Sequence, residues 1–496
     1  MGAQIQKETF EEEDYARFAA RLTECLEALR LLLARPGFGE GPATVGAELE
    51  LNVIDAAGRP LPRNRDILAT TDDHRVTVEM DRFNLEINGK PRPLAGRPFS
   101  TMSHDLADAL RVVKAAAAEH GGRIAVMGIL PTLAEADLWP QAMTDAPRYR
   151  ALSAGIRRLR KEPFAFRIDG EDALDVTASD VTFEGASTSF QLHLRVSPSD
   201  FARTHNAVQI ATAPVLAAAV NSPLFLGHRL WDETRIALFR QATDDRAAHV
   251  PGDEWRPARV SFGHGWVRRS AWELFAESVA LHAPLLPVCG AESPLEVARE
   301  GGVPALTELR LHGSTVWRWN RAIFDPTGGG HLRVEMRPLP AGPTFADMAA
   351  NAAFFIGLTL GLAPIADELV NSLTYGMARR NFYAAAQRGL DIDILWPCDD
   401  PPSPKPVPAK DLIVRLLPIA RKGLLDNGVD AKEADQALSV IEARVAAGQT
   451  GADWQRRALA SLERRRTRAE ALPILLERYM QNAEDGAPVH QWKIPQ

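Results

Sequence analysis

Apolar and polar residues alternate strictly in four short stretches of the chain. In "VGAELELNV", Val45, Ala47, Leu49 and Leu51 fall on one side, and Gly46, Glu48, Glu50 and Asn52 on the other. "RFNLEING" places Phe83, Leu85 and Ile87 opposite Asn84, Glu86 and Asn88. "FQLHLRV" sets Phe190, Leu192, Leu194 and Val196 against Gln191, His193 and Arg195, and "HLRVEMRPL" sets Leu332, Val334 and Met336 against Arg333, Glu335 and Arg337. Period two predicts strands with one buried face. Glu48 and Glu50 then point the same way, ~6.6 Å apart along the strand. Two such charges repel by about 2.5 kcal/mol at an effective dielectric of ~20. A strand gains nothing structural from that, so the pair asks for a cation.

Helical spacing marks other segments. Residues 10–35 predict a charged helix ending at the glycines and prolines of "RPGFGEGP". "SHDLADALRVVKAAAAEHGG" predicts a helix that Gly121 terminates. "AANAAFFIGLTLGLAPIA", Ala349 to Ala366, is nearly long and apolar enough to span a membrane. Its Asn351, glycines, Pro364 and many alanines predict a tightly packed buried helix instead. "PCDDPPSPKPVPAKD" is proline-rich and predicts a semi-rigid linker. The resulting division is an N-terminal helix and loop at 1–40, a main domain at 41–396, a linker at 397–411 and a helical C-terminal segment at 412–496. The apolar faces of the four strands can pack on helices, as in an antiparallel α+β sheet.

Composition narrows the class. A chain of 496 residues with 46% hydrophobic residues can bury a substantial core. Its net charge of −7, with both signs mixed, argues against binding a nucleic-acid backbone. Cys25, Cys289 and Cys398 are far apart and form no CxxC, which suggests neither a zinc ribbon nor a disulfide framework and predicts a reducing cytoplasmic home. The first residues, "MGAQIQKETFEEEDY", are polar and acidic, unlike a secretory signal, and no membrane partner is expected.

The polar faces share a chemical theme. A face that only met water would carry Thr, Lys, Ser and Glu in no special arrangement. These faces offer Glu48, Glu50, Glu86 and Glu335 with His193, Gln191 and arginines among them. Clustered carboxylates suit Mg²⁺ or Mn²⁺, and arginines beside them suit phosphate. Such a face fits metal–ATP and phosphoryl transfer. No G-x-x-x-x-G-K-[ST], H-E-x-x-H or G-x-S-x-G occurs, so a nucleotide would bind through metals on the sheet. His104, His205 and His282 read as surface or capping residues, and the tryptophans of "VWRWNR" as strand packing.

With these strands in view, the chain resembles the glutamate–cysteine ligase family, in its plant-type and bacterial carboxylate–amine ligase branches. "VGAELEL" is similar to the family's Glu-x-Glu strand, "DAPRYRAL" to its Arg-Tyr segment and "STSFQLHLRV" to its Ser-Thr-Gln strand. "NSPLFLGHRLWDETRIALFRQATDDR" resembles its Asn-Ser-Pro helix with the following arginines, and "HGSTVWRWNR" and "VEMRPLP" its His…Arg segment and Glu-x-Arg strand. "RNFYAAAQRGLD" resembles a later helix.

The resemblance implies a glutamine-synthetase-like α+β fold, a curved antiparallel sheet forming a funnel covered by helices. It implies ATP and Mg²⁺, with Mn²⁺ an alternative, and an acyl phosphate of the glutamate side chain attacked by an amine such as cysteine. It assigns metal binding to Glu48, Glu50, Glu86, His193 and Glu335, and catalysis to Arg337, Arg235 and Arg321. Gln191, Asn221, Arg246 and His312 are then expected at the substrates or ATP. The alternatives are a guanidino kinase and a non-catalytic nucleotide or glutamate sensor. The oligomeric state and the identity of the amine stay open.

Overall fold

The computed structural model describes residues 5–247, 256–398 and 403–495. All four alternating stretches enter one sheet. Its strands run in the order Asn320–Asp325, His331–Met336, Phe190–Val196, Thr44–Ile54, Asn84–Asn88 and Val76–Val78, each antiparallel to its neighbours. Two shorter strands, Arg92–Pro93 and Arg123–Ala125, pair with opposite ends of Thr44–Ile54.

The register decides what the polar face holds. Directly opposed residues share a face. Glu48 opposes Gln191, Glu50 opposes Glu86, and Glu335 lies between His193 on one side and Arg321 on the other. The other face is apolar, with Leu49 opposite Phe190 and Ile87, and Leu194 opposite Val45 and Val334. Helices Pro98–Glu119, Phe201–Ala219 and Phe345–Leu362 cover it.

Phe345–Leu362 is the long apolar segment, and it is a core helix, with 13 of its 18 residues buried within the protein. Thr344 caps it by accepting from the Asp347 N–H at 3.0 Å. Its Gly357 and Gly361 lie against Gly423, Ile419 and Ala420 of helix Ala409–Asp426. A Cβ on Gly423 would stand 2.2 Å from the Gly357 carbonyl oxygen, so only glycine permits this approach.

Of the stretch expected as a linker, 397–411, residues 399–402 lie outside the described residues and the rest is strand and helix. Residues Asp393–Cys398 and Ser403–Pro408 pair as an antiparallel hairpin, and helix Ala409–Asp426 begins directly after it. Prolines at the edge positions of this two-stranded ladder leave it enough N–H groups to form. Four helices then close the chain, Ala409–Asp426, Ala431–Ala447, Gly451–Leu462 and Arg468–Asp485. Their apolar faces join the same continuous core as the sheet. A buried pair locks them on: Arg444 Nη2 lies 2.8 Å from Asp347, and its Nη1 reaches Asn351 and the Ala218 carbonyl. The N-terminal helix Glu12–Ala34 is tied in likewise, with Arg21 Nε 3.0 Å from Glu308.

Two of the histidines expected at the surface are buried. His205 and His282 are 2% and 5% exposed, whereas His104 is exposed. An alanine-rich helix, Phe201–Ala219, is buried almost all round and takes His205 with it. Trp317 and Trp319 pack edge-on against Phe239 of helix Thr234–Ala242, just before strand Asn320–Asp325.

Candidate active site

Three strands bring the first cluster together. The ligand atoms of Glu48, His193 and Glu335 all lie within 4.8 Å of one another. His193 Nε2 is 3.1 Å from Glu48 and 3.9 Å from Glu335. Gly46 opposes His193 across the ladder. Arg321 grips Glu335 with Nε and Nη2, at 2.7 and 3.0 Å from its two oxygens. Arg337 Nη1 donates to Gln191 and lies 3.4 Å from Glu335.

Glu50 and Glu86 make the next row. Glu50 accepts from the Ser189 N–H at 2.6 Å and from Gln191 Nε2 at 2.9 Å. Gln191 thereby links Arg337 to Glu50. Glu86 accepts from Asn88 at 2.6 Å. Beyond them lie Glu79 and Glu184, which the periodic pattern did not single out. Glu184 sits on the turn Thr182–Ala186, where no alternation marks it. Glu79 continues the Thr77 side of Val76–Val78, a three-residue strand too short to give a clear signal. Arg148 and Tyr149, from the Arg-Tyr segment, close over this end: Arg148 Nη2 donates to Ser314 at 3.0 Å and Tyr149 to the Val78 carbonyl at 3.2 Å.

The electrostatics divide the face. Burial opposes charge on Glu335, but Arg321 and Arg337 outweigh it and hold the carboxyl down at about 2. Burial likewise opposes charge on Glu48, and His193 and Arg337 hold it well below the ordinary range. At the other end burial and neighbouring carboxylates prevail, and Arg337 offsets them only in part at Glu184. Burial, then Glu48 and Glu50, push Glu86 up to about 7. Burial and Glu50 push Glu184 up to about 8. Glu79 is pushed well above the usual carboxylate range by burial and by Glu86, Glu50 and Glu184. Carboxylates crowded in this way gain from a bound cation. The donor set of one imidazole nitrogen and carboxylate oxygens fits Mg²⁺ or Mn²⁺.

A cavity of about 140 Å³ leads from Glu48, His193 and Glu335 past Arg321 to Arg310 and Arg333. Three larger clefts, of about 550, 380 and 370 Å³, are lined by none of these residues.

Four expected site residues have other partners. Arg235 is buried against Glu233 at 3.1 Å and the Pro338 carbonyl at 3.2 Å, so it braces the chain just after Arg337. Asn221 is buried and donates to the Ala341 carbonyl and the Tyr479 hydroxyl. His312 Nε2 faces the Ser278 carbonyl at 3.0 Å. Arg246 pairs with Asp244 at 2.7 Å and lines a separate cleft with Arg240 and Tyr383. Sequence spacing cannot tell an arginine beside the site from one within it.

An antiparallel sheet with carboxylates, a histidine and arginines on one face and helices on the other is the α+β fold of the glutamine-synthetase-like ligases. A family model for glutamate-cysteine ligase family 2 matches residues 44–478, and the chain belongs to that family. Among solved structures it is similar to a glutamate–cysteine ligase from Francisella tularensis in complex with AMP. That likeness has 11% identity and a TM-score of 0.54, covering 92% of this chain and 91% of that one. A bifunctional glutathione synthetase from Pasteurella multocida matches at 10% identity and a TM-score of 0.46, covering 95% of this chain and 55% of that one. No curated protein sequence matches.

Proposed function

We propose that this protein joins the side-chain carboxylate of glutamate to an amine, driven by ATP through an acyl phosphate. The observation that carries this reading is the convergence of Glu48, His193 and Glu335 within 4.8 Å on a face where Arg321 and Arg337 flank the same carboxylate. The Francisella relative crystallised with AMP supports a nucleotide as one substrate. The family's name points to cysteine as an acceptor.

A carboxylate resists amines near neutral pH because oxide is a poor leaving group. Transfer of the γ-phosphoryl to the carboxylate converts that oxygen into one that departs as phosphate. Glu48, His193 and Glu335, with Glu50 and Glu86 beyond, would hold divalent metal, whose chemistry when bound is to neutralise charge on the phosphates. Arg337 serves the transferring phosphoryl. Its Nε is buried without a hydrogen-bond partner among the described residues, and its planar fork suits two phosphoryl oxygens. Gln191 and Glu335 fix the guanidinium in advance, which spares reorganisation when charge develops. Arg321 holds Glu335 ionised and oriented.

The test is phosphate release from ATP with glutamate and a panel of amines, with and without Mg²⁺. Phosphate release that needs glutamate, metal and an amine together supports ligation. Phosphate release that leaves every amine unincorporated, or nucleotide binding with no turnover, overturns it. A glutamate sulfoximine analogue should inhibit tightly only in the presence of ATP, because its phosphorylated form mimics the tetrahedral state.

A further inference from the structure

One of the clefts apart from the carboxylate face is lined by strand Phe164–Asp169 and by helices Thr234–Ala242 and Tyr375–Arg388. Its volume of about 370 Å³ is in the range of small-molecule sites. Two aromatic side chains line it, Trp231 and Tyr383. Trp231 is pinned by Nε1, which donates to the Asp169 carbonyl at 3.0 Å. The Arg240 guanidinium stands 5.7 Å from the centre of the Tyr383 ring.

The charges on the walls are unequal. Arg167, Arg240 and Arg246 face Asp169 and Asp244. Arg246 and Asp244 occupy each other through two contacts, at 2.8 and 2.7 Å. Arg167 pairs with Asp175 at 3.2 Å, but both side chains are exposed, and an exposed pair holds its members loosely. Arg240 is exposed, lies against the Tyr383 ring and makes no ion pair among the described residues. The cleft therefore keeps a surplus of guanidinium beside aromatic rings.

That combination suits a flat ring carrying an anion. Bases stack on Trp and Tyr, and a guanidinium fork meets two phosphate oxygens at once. We infer that this cleft is a second ligand site, separate from the carboxylate face, and that its ligand is a nucleoside monophosphate. Trp231 and Tyr383 take the base, and Arg240 and Arg167 take the phosphate.

A short route joins the cleft to the catalytic face. Helix Thr234–Ala242 lines the cleft with Ile236, Ala237, Arg240 and Gln241. Arg235 of the same helix is buried and donates to Glu233 and to the carbonyl of Pro338, the residue after Arg337. Helix Tyr375–Arg388, which supplies Tyr383, accepts the Glu233 N–H at its Ala386 carbonyl, 2.8 Å away. A ligand held between the two helices bears on both supports of the Glu233–Arg235 pair. Occupancy of the cleft then changes the rate set at Arg337. This coupling rests on the ligase reading above, and the binding site does not.

The experiment fills the catalytic face first. Full-length protein is saturated with Mg²⁺ and the β,γ-imido analogue of ATP. AMP, GMP, CMP and UMP are then titrated in by calorimetry, beside their nucleosides and inorganic phosphate. At least one monophosphate should bind at one per chain, with its nucleoside and inorganic phosphate at least tenfold weaker. Trp231→Leu and Arg240→Gln should each weaken that binding by about tenfold to a hundredfold, the loss expected for one stacked base or one charge-assisted hydrogen bond. Either variant suffices, so the result stands where the other melts early in circular dichroism. Binding of no monophosphate, equal binding of phosphate alone, or unchanged affinity in the folded variants would overturn the site. For the coupling, the kcat of each protein with the monophosphate is divided by its own kcat without it. The ratio should depart from one by threefold or more in wild type and return toward one in the variants. A ratio of one in wild type, or a change confined to KM for ATP, which marks competition at the catalytic face, overturns the coupling. Absence of any turnover overturns the ligase reading and leaves the calorimetric result standing.

Discussion

Arg321 holds Glu335 through two parallel contacts, Nε at 2.7 Å and Nη2 at 3.0 Å. The arginine stands directly across the ladder from the glutamate, on the edge strand of the sheet. This pair orients one member of the metal-ligand cluster before any ligand arrives. Arg321→Lys keeps the charge but loses the fork. Its kcat should fall by roughly tenfold to a hundredfold. The Mg²⁺ concentration for half-maximal rate should also shift, because Glu335 is less well aimed. A kcat within threefold of wild type with unchanged Mg²⁺ dependence would remove the pair from the mechanism.

Arg337 poses a related question. As an ordinary surface pair with Glu335 it would contribute about 0–1 kcal/mol, and Arg337→Lys would behave normally. Set against the transferring phosphoryl, a lysine meets one oxygen where the guanidinium meets two. We expect kcat to fall by roughly 10²-fold or more, with ATP affinity changed far less. Steady-state kinetics on this variant, with circular dichroism to confirm folding, separate the two outcomes.

Glu48 and Glu184 should respond oppositely when neutralised. Glu48 is balanced by His193 and Arg337, so Glu48→Gln should lose Mg²⁺-dependent turnover without stabilising the metal-free protein. Glu184 is pushed up to about 8, above its unfolded value of 4.5. A raised carboxylate contributes stability that is present at low pH and lost as pH rises from 4.5 through 8. Glu184→Gln removes that loss. Its metal-free melting temperature should exceed that of wild type by a few degrees at pH 8.5 and match it near pH 4.5. Thermal melts at both pH values test this, and a difference that does not grow with pH contradicts it.

The buried histidines set the acid limit. Burial is the main cause of all three shifts, taking His205 and His312 down to about 4 and His282 to about 2, from an ordinary 6.5. A depressed histidine binds fewer protons folded than unfolded, so stability is lost as pH falls below 6.5 and the loss continues toward the folded value. Between pH 6.5 and 5.5 the three together cost about 3 kcal/mol. The raised carboxylates act in the opposite direction over the same range, so a single variant isolates the effect. The destabilisation caused by His312→Gln should shrink as pH is lowered from 7.5 to 5. Denaturant titrations that show a constant or growing difference would contradict this.

Arg246 offers a control. It pairs with Asp244 and lines a cleft apart from the carboxylate face. Arg246→Ala should keep kcat/KM within threefold of wild type for every substrate. A large loss would move the working site toward that cleft.

The sequence by itself determined the strands and their polar faces. Side chains alternate strictly along a strand, so Glu48, Glu50, Glu86, His193, Glu335 and Arg337 were readable as one-sided before any fold was known. Which strands are neighbours is a matter of pairing over long separations, and no local pattern carries it. Only the tertiary structure set Glu335 between His193 and Arg321, linked Gln191 to both Glu50 and Arg337, and turned the proline-rich stretch into a hairpin. It also gave Asn221, His312 and Arg235 partners from distant segments, Tyr479, Ser278 and Pro338. Glu184 stands on a turn, where no period repeats. Its character comes from burial and from the carboxylates folded against it, and a chain acquires those surroundings only when its core closes.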